Sequence, residues 1–425
     1  MPYPPDGSVL AAWGIAGLAT AGVIARPFRL PEAIWAVAGA IALVAFGLLP
    51  WMDAFSGVRK GLDVYLFLAG MMLIAEVARR EGVFDWLAAL AVEYARGSPR
   101  RLFALVYAVG TVVTVLLSND ATAVVLTPAV YAATRAAGAT PLPYLFVCAF
   151  IANAASFVLP VSNPANLVVF GAHMPHLAAW LAQFGLPSAI SIGVTYLALS
   201  MTQRHALDQD KIAREFPRPP LTYGGRLTVC GIGAVAVVLL CCSALNVSLG
   251  LPTFVCGVVT TAIVLTLNRQ SPWPVISGVS WEVLPLVAGL FVLVEALVHT
   301  GVIDTLSGIL HAAVVNSMTA ATWGAGLIVG FASNLMNNLP VGLIVGSVVA
   351  ANRLPTQVIG AMLVGVDLGP NLSVTGSLAT ILWLVVLRRE GLEVGTWGFL
   401  RLGIVVMLPA LILSIAAMTL LASLA

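Results

Sequence analysis

The sequence predicts an all-α polytopic membrane protein made of two inverted repeats, with about ten transmembrane helices, two re-entrant hairpins and two broken helices. Three observations carry that prediction. The first is composition: the 425 residues are 60% hydrophobic and only 9% charged, whereas a soluble domain carries about 25% charged residues. The second is a series of apolar runs close to the roughly 20 residues that a membrane crossing takes. The third is that the second half of the chain repeats the first.

In chain order, apolar runs at 8–25, 31–50 and 62–78 read as crossings. The first has no basic leader before it, so it reads as a retained helix rather than a cleaved signal. The run 101–135 is interrupted by "SNDAT" (118–122), and 143–182 by "LPVSNPAN" (159–166). A crossing at 187–201 follows, then the longest polar stretch, 203–226, which reads as a cytoplasmic linker. The pattern then restarts with crossings at 227–245, 253–267 and 282–298, and interruptions recur at "SNLMNNLP" (333–340) and at "GVDLGPNLSVTGSLATILW" (365–383). A last crossing occupies 399–425. The expected division is a first repeat over 1–202, the linker 203–226 and a second repeat over 227–425.

A shift of 219 residues lays "DVYLFLAGMMLIAEVARREGVFD" on "EVLPLVAGLFVLVEALVHTGVID" without a gap. It pairs Gly70 with Gly289, Glu76 with Glu295 and Asn119 with Asn338. After a five-residue deletion, "LPVSNPAN" lies on "SVTGSLAT". Five crossings per half, each half with a hairpin that enters and leaves on one side, make the halves inverted. With the N-terminus outside, 17 of the 20 Lys and Arg fall inside; Arg59, Lys60 and Arg353 remain outside. That is the asymmetry expected of cytoplasmic loops, and it predicts both termini outside. Glu76 and Glu295, near predicted helix ends, read as structural.

Inverted repeats with broken helices at matching places point to a transport site near the midplane. Non-helical backbone persists at that depth only where it is buried in protein or lines a cavity. The candidate substrate-binding residues are therefore those at the four breaks: Asn119, Asn163, Asn166, Asn337, Asn338, Asn371, Ser373, Thr375 and Ser377. Asn119 and Asn338 are expected to approach each other, with Asn163 and Ser377 close by. Such side chains also glue helices together, but clusters at four repeat-matched breaks favour a site. Two acids, Asp120 and Asp367, lie in the break regions, one per half. A charge at mid-bilayer costs roughly 2.5–3.5 kcal/mol on the insertion scale, so such acids persist where they handle protons or ions. They are the candidate proton-coupling residues. The five cysteines and five histidines show neither a disulfide framework nor metal-ligand spacing, and no cofactor is expected. The net charge of +2 does not indicate nucleic acid, because the basic residues sit in loops; the lipid bilayer is the expected environment.

"LSNDATAVVLTPAV" (117–130), "VSNPANLVV" (161–169), "SNLMNNLPVGLIVG" (333–346) and "DLGPNLSVTGSLATILWLVVLRR" (367–389) resemble the ArsB family of arsenite efflux permeases, in the ion transporter superfamily. The resemblance covers both halves. One departure stands at Ser373-Val374-Thr375-Gly376-Ser377, where many relatives carry "TPIGS". The resemblance implies export of arsenite and antimonite from a prokaryotic cytoplasm in exchange for protons. It also admits a soluble ATPase subunit and a homo-oligomer as partners. The residues suit that substrate, since arsenite near neutral pH is a small neutral trihydroxide and amide and hydroxyl groups both donate and accept. The four clusters hold no Lys or Arg, which weighs against the alternative, a sodium- or proton-coupled carboxylate transporter of the same fold. A channel is disfavoured because the hairpins are inverted duplicates, and an enzyme because no nucleophile–base pair or metal set emerges.

Overall fold

The computed structural model describes residues 7–171, 174–214, 219–352 and 354–424. Arg218 and Arg353, counted in the charge balance, and His173 lie outside them. The described residues form helices joined by turns and irregular stretches, with no strand. The first half runs α1 (Gly7–Ala25), α2 (Glu32–Ala45), α3 (Trp51–Lys60), α4 (Leu62–Arg80), α5 (Val83–Ala95), α6 (Pro99–Leu116), α7 (Thr127–Ala136), α8 (Leu142–Ala154), α9 (Pro164–Phe170) and α10 (Leu177–Thr202). The linker holds the short α11 (Arg204–Gln209). The second half runs α12 (Tyr223–Ala244), α13 (Gly250–Leu267), α14 (Trp273–Gly278), α15 (Val283–His299), α16 (Val302–Asn316), α17 (Met318–Met336), α18 (Asn338–Ala351), α19 (Thr356–Leu368), α20 (Leu378–Arg389) and α21 (Thr396–Leu424).

Six of these helices (α1, α6, α10, α12, α13 and α21) are long and apolar enough to cross a membrane unaided. Two bent pairs, α3 with α4 at 46° and α15 with α16 at 72°, raise the number to eight. The remaining apolar passages are built from shorter pieces, among them α2, α8 and α18. Two runs differ from expectation. The run 31–50 stops being helical at Ala45, because Gly47 takes a left-handed φ of 68° and Pro50 then opens α3. The helix expected from 187 begins at Leu177 and continues through Pro187. The ring is buried there, and Ser414 Oγ on α21 donates to the Pro187 carbonyl at 3.2 Å. Helices α3, α5, α14 and α16 were not expected. Each is too short and too mixed in polarity to register as a crossing; α5 buries Phe84, Ala88, Ala91 and Val92 while Asp85 and Glu93 are exposed.

At both predicted hairpins the chain turns back on itself. Thr122 packs beside Gly110, and its Oγ1 lies 2.8 Å from Thr114 Oγ1. In a continuous helix, residues 110 and 122 would stand about 18 Å apart, at 1.5 Å per residue. The returning arm starts as a π-helix, Ala121–Leu126, a rare form that is frequent at functional sites. The second turn is made by Asn337, whose φ of 72° and ψ of 152° belong to a region that favours glycine.

The halves interlock through close glycine crossings. Gly70 on α4 abuts the Thr253 backbone and Gly257 on α13, and its repeat mate Gly289 on α15 abuts Ala36 on α2. A side chain at either glycine would collide with the partner helix. These crossings fix a frame against which the hairpins and broken helices rest.

Candidate functional site

The two broken helices supply the site's backbone. α8 stops at Ala154 and α9 starts only at Pro164; α19 stops at Leu368 and α20 starts only at Leu378. Between them the chain is irregular, and its restart is capped in each half. Asn163, extended at φ −149°, accepts the Ala165 N–H on its Oδ1 at 3.0 Å. Its repeat mate Ser377, at φ −142°, accepts the Thr380 N–H on Oγ at 3.1 Å. Asparagine and serine are preferred at this position, and proline suits the first helical residue that follows Asn163. Each restart carries the positive end of a helix; at α9 it is closed, since Pro164 has no N–H and the N–H groups of Ala165 and Asn166 are bonded to Asn163.

A buried polar network joins the breaks. Asn163 Nδ2 donates to Asp367 Oδ1 at 2.7 Å. Asn371 Nδ2 donates to the Phe150 carbonyl at 3.0 Å, and its Oδ1 accepts from Asn153 Nδ2 at 2.9 Å. Asn166 Nδ2 donates to the carbonyls of Ser156, Leu159 and Pro160. Around the second tip, Asn334 Nδ2 reaches the carbonyls of Gly330 and Gly369, while its Oδ1 accepts from Ser373 Oγ at 2.8 Å. Thr375 Oγ1 donates to the Asn334 carbonyl at 3.1 Å. Asn338 N donates to the Gly376 carbonyl at 2.9 Å, tying the second tip to the second break. Asn337 Oδ1 accepts from Leu339 N at 3.3 Å. Asn119 Oδ1 accepts from Asp120 N at 2.9 Å. Among the described residues, no hydrogen bond joins Asn119 to Asn338.

A cavity of about 480 Å³ reaches three of the four breaks. Its lining holds Ser118 and Asp120 from the first tip, Pro164 from the start of α9, Leu378 from the start of α20, and Glu76, Arg79 and Arg389. Glu76 is held by Arg79, 2.7 Å away, and by Arg80, 2.8 Å away. Its repeat mate Glu295 pairs instead with Lys60, at 2.6 Å. Both are therefore engaged in ion pairs. The second tip comes to Leu378 from the other side, where Asn337, Leu339 and Pro340 line a small void with Glu32. Asp120 is half-buried and lines the cavity. Asn163, Asn166, Asp367 and Asn371 are fully buried behind the wall. Thr375 faces a separate cavity across α20, which also contacts Arg26 and Arg388.

One member of the network, Asn153, escaped the sequence reading. It sits in an apolar run, "CAFIANAA", but the offset of 214 that aligns the broken helices lays it on Asp367. The alignment was the signal that could have found it. Among the described residues no three His, Cys, Asp or Glu side chains converge as metal ligands. Cys148 is buried, and its Sγ contacts the Tyr144 carbonyl at 3.8 Å.

The polar part of the lining thus offers the Ser118 hydroxyl, the Asp120 carboxyl and the start of α20, together with Arg389 and the Glu76–Arg79 pair. Such a set both accepts hydrogen bonds from hydroxyl groups and donates to their oxygens.

Residues 15–365 match the family model described as "Citrate transporter". An arsenical pump membrane protein of Escherichia coli strain K12 is 29% identical over 369 residues, covering 82% of this chain and 84% of its own length. Another from Escherichia coli is 27% identical over 413 residues, covering 94% and 95%. An uncharacterised transporter of Mycobacterium tuberculosis is 27% identical over 403 residues, covering 89% and 91%. In structure, the chain is similar to the YdaH transporter of Alcanivorax borkumensis, whose topology is described as unusual. The TM-score is 0.58 at 15% identity, over 98% of both chains.

Proposed function

Since the chain belongs to the citrate transporter family, we propose that it is a secondary transporter that exports arsenite, and antimonite with it, from the cytoplasm in exchange for protons. The names of the Escherichia coli relatives support the substrate class. The observation that carries the choice is that the Ser118 hydroxyl and the Asp120 carboxyl line one cavity, in which Arg79 is occupied by Glu76 and Arg389 is the other cation. A neutral trihydroxide finds both donors and acceptors in this lining. A multiply charged carboxylate, the alternative cargo, would meet the Asp120 carboxylate there, although Arg389 lines the same cavity and open helix N-termini do bind carboxylates.

In this reading Asn119 and Asn338 bring the two tips to the solute, with Ser377 and Asn163 offering their capped helix ends. Asn166, Asn337, Asn371, Ser373 and Thr375 hold the breaks in shape around it. Residues 1–202 and 227–425 act as the two halves, joined by the cytoplasmic linker 203–226. The membrane is a prokaryotic inner membrane with both termini outside. A soluble ATPase subunit and a second copy of the chain are partners compatible with this arrangement.

Outward movement of a neutral solute gains nothing from the membrane potential. An inward proton gains about 2.3 kcal/mol per 100 mV, provided that a group inside the membrane takes it up and releases it. Asp120 and Asp367 are the carboxyls available, one in each half. We favour Asp367 because it lies at the end of a half-helix within the polar network. Everted vesicles with an imposed pH gradient test the proposal. Wild-type vesicles are expected to accumulate arsenite, and Asp367→Asn vesicles to lose accumulation. If Asp120→Asn and Asp367→Asn both accumulate arsenite normally while a protonophore still abolishes uptake, the proton travels elsewhere. Uptake of citrate in place of arsenite would overturn the substrate assignment.

A further inference from the structure

We infer that the cavity on the far side of α20 binds an anionic phospholipid, with the phosphodiester between Arg26 and Arg388 and an acyl chain along the aliphatic face of α20.

This cavity measures about 580 Å³ and is separate from the one that Asp120 lines. α20 is the partition between the two. Leu378, Leu382, Val386 and Arg389 line the Asp120 cavity, whereas Ile381, Leu384, Val385 and Arg388 line the other. Each set keeps the three- and four-residue spacing that gathers side chains on one helix face. The opposite wall is the end of α1, from Ile24 to Arg26. A charged group thus stands at each side of an aliphatic strip.

The charges favour a singly charged anion. No acid lines the cavity. Arg26 is ion-paired with Glu32 through Nη2, and its Nε has no hydrogen-bond partner. Arg388 is exposed, and among the described residues no acid pairs with it. Glu32 therefore offsets one of two guanidinium charges, and one positive charge is left. A phosphodiester carries one negative charge, and guanidinium forks match phosphate oxygens. A multiply charged carboxylate would overcompensate.

The apolar lining favours a lipid over a free anion. Six of the nine lining residues are aliphatic, and Thr375 supplies the one hydroxyl. A hydrated anion would shed water against such a wall without replacing the hydrogen bonds. A phospholipid meets it with its own chain. The distribution of Lys and Arg predicts Arg26 and Arg388 on the cytoplasmic side, where the leaflet is anionic and basic pockets between membrane helices hold phospholipid headgroups.

The test is a titration of the purified, delipidated full-length protein in detergent with a tail-labelled phosphatidylglycerol. Saturable binding is expected, displaced by unlabelled phosphatidylglycerol but not by phosphatidylcholine of the same chains or by inorganic phosphate at the same concentration. Arg388→Gln removes the free charge, and Val385→Trp fills the aliphatic strip; each should weaken binding at least tenfold. Arg389→Gln removes the same charge one residue on, at the other cavity, and should bind as the wild type does. Equal displacement by phosphatidylcholine would reduce the cavity to an unselective lipid contact. Displacement by inorganic phosphate would make it an anion site without a lipid. Either result overturns the inference, as does absent saturable binding or wild-type affinity in both Arg388→Gln and Val385→Trp. If Arg388→Gln does not purify as a single species, the competition series and Val385→Trp decide. The readout contains no arsenite, so failure here leaves the transport reading untouched.

Discussion

Asn371 and Asn337 illustrate how single side chains hold the breaks. Asn371 is a two-way bridge, donating to Phe150 and accepting from Asn153 across the halves. Asn371→Leu would leave the buried Asn153 amide N–H unpaired and take from the Phe150 carbonyl its second donor, at about 1–3 kcal/mol for the unpaired group. A clear drop in the melting temperature of the purified protein is the expected result; an unchanged value would mean that water or repacking replaces the bridge. Asn337 holds φ at 72° and ψ at 152°, a conformation that costs a non-glycine residue of order 1–3 kcal/mol. Asn337→Gly should therefore raise the melting temperature while reducing arsenite export, if the side chain contributes to the site; a lower melting temperature would contradict the strain argument. The sequence made these positions visible as polar residues inside apolar runs, because cost at depth singles them out. It could not show their partners. The Asn153–Asn371 and Asn163–Asp367 bonds span more than 200 residues, and an asparagine flanked by alanines in an apolar helix carries no local sign of such a contact.

At the scale of elements, legibility followed hydrophobic length. Long crossings and interrupted runs stood out, while α3, α5, α14 and α16 did not, since a short helix with one apolar face looks like a loop with hydrophobic neighbours. The sequence predicts α10 only from Pro187, because proline usually opens or ends a helix, whereas Pro187 is accommodated inside it. The repeat-matched glycines were legible as a pair, Gly70 on Gly289, but their reason appears only in the packing. Each is the point where a helix of one half presses its backbone on a helix of the other. Gly70→Leu should push α4 from α13 and lower thermal stability by about 1–3 kcal/mol or more, the usual cost of overpacking. Gly82→Ala, where no atom lies within 4 Å of the added carbon, avoids the collision but meets a φ of 72°, so its smaller loss should come from backbone strain alone. Comparing the two melting curves separates interlock from conformation; equal losses would remove the interlock from the argument.

At the scale of the whole molecule, orientation decides whether the cavity can load an exporter. The charge asymmetry predicts that Arg79, Arg80, Arg388 and Arg389 lie on the cytoplasmic side, and Arg79 and Arg389 line the cavity. One is drawn from the distribution of charge along the chain, the other from Arg79 on α4 and Arg389 on α20 lining the same cavity. Together they predict a cavity open to the cytoplasm, with Asp120 at its inner end and the start of α20 as its floor. Leu382, one turn along α20 and facing the cavity, is a suitable reporter. In a background without the five native cysteines, Leu382→Cys should react with a membrane-impermeant maleimide in everted vesicles and stay unreactive in intact cells. Arsenite should slow the reaction, because the solute and the reagent compete for the same space. Labelling from outside intact cells, with protection in everted vesicles, would turn the molecule over, and a cavity that opens outward at rest would have to load from the outside, against the direction proposed here.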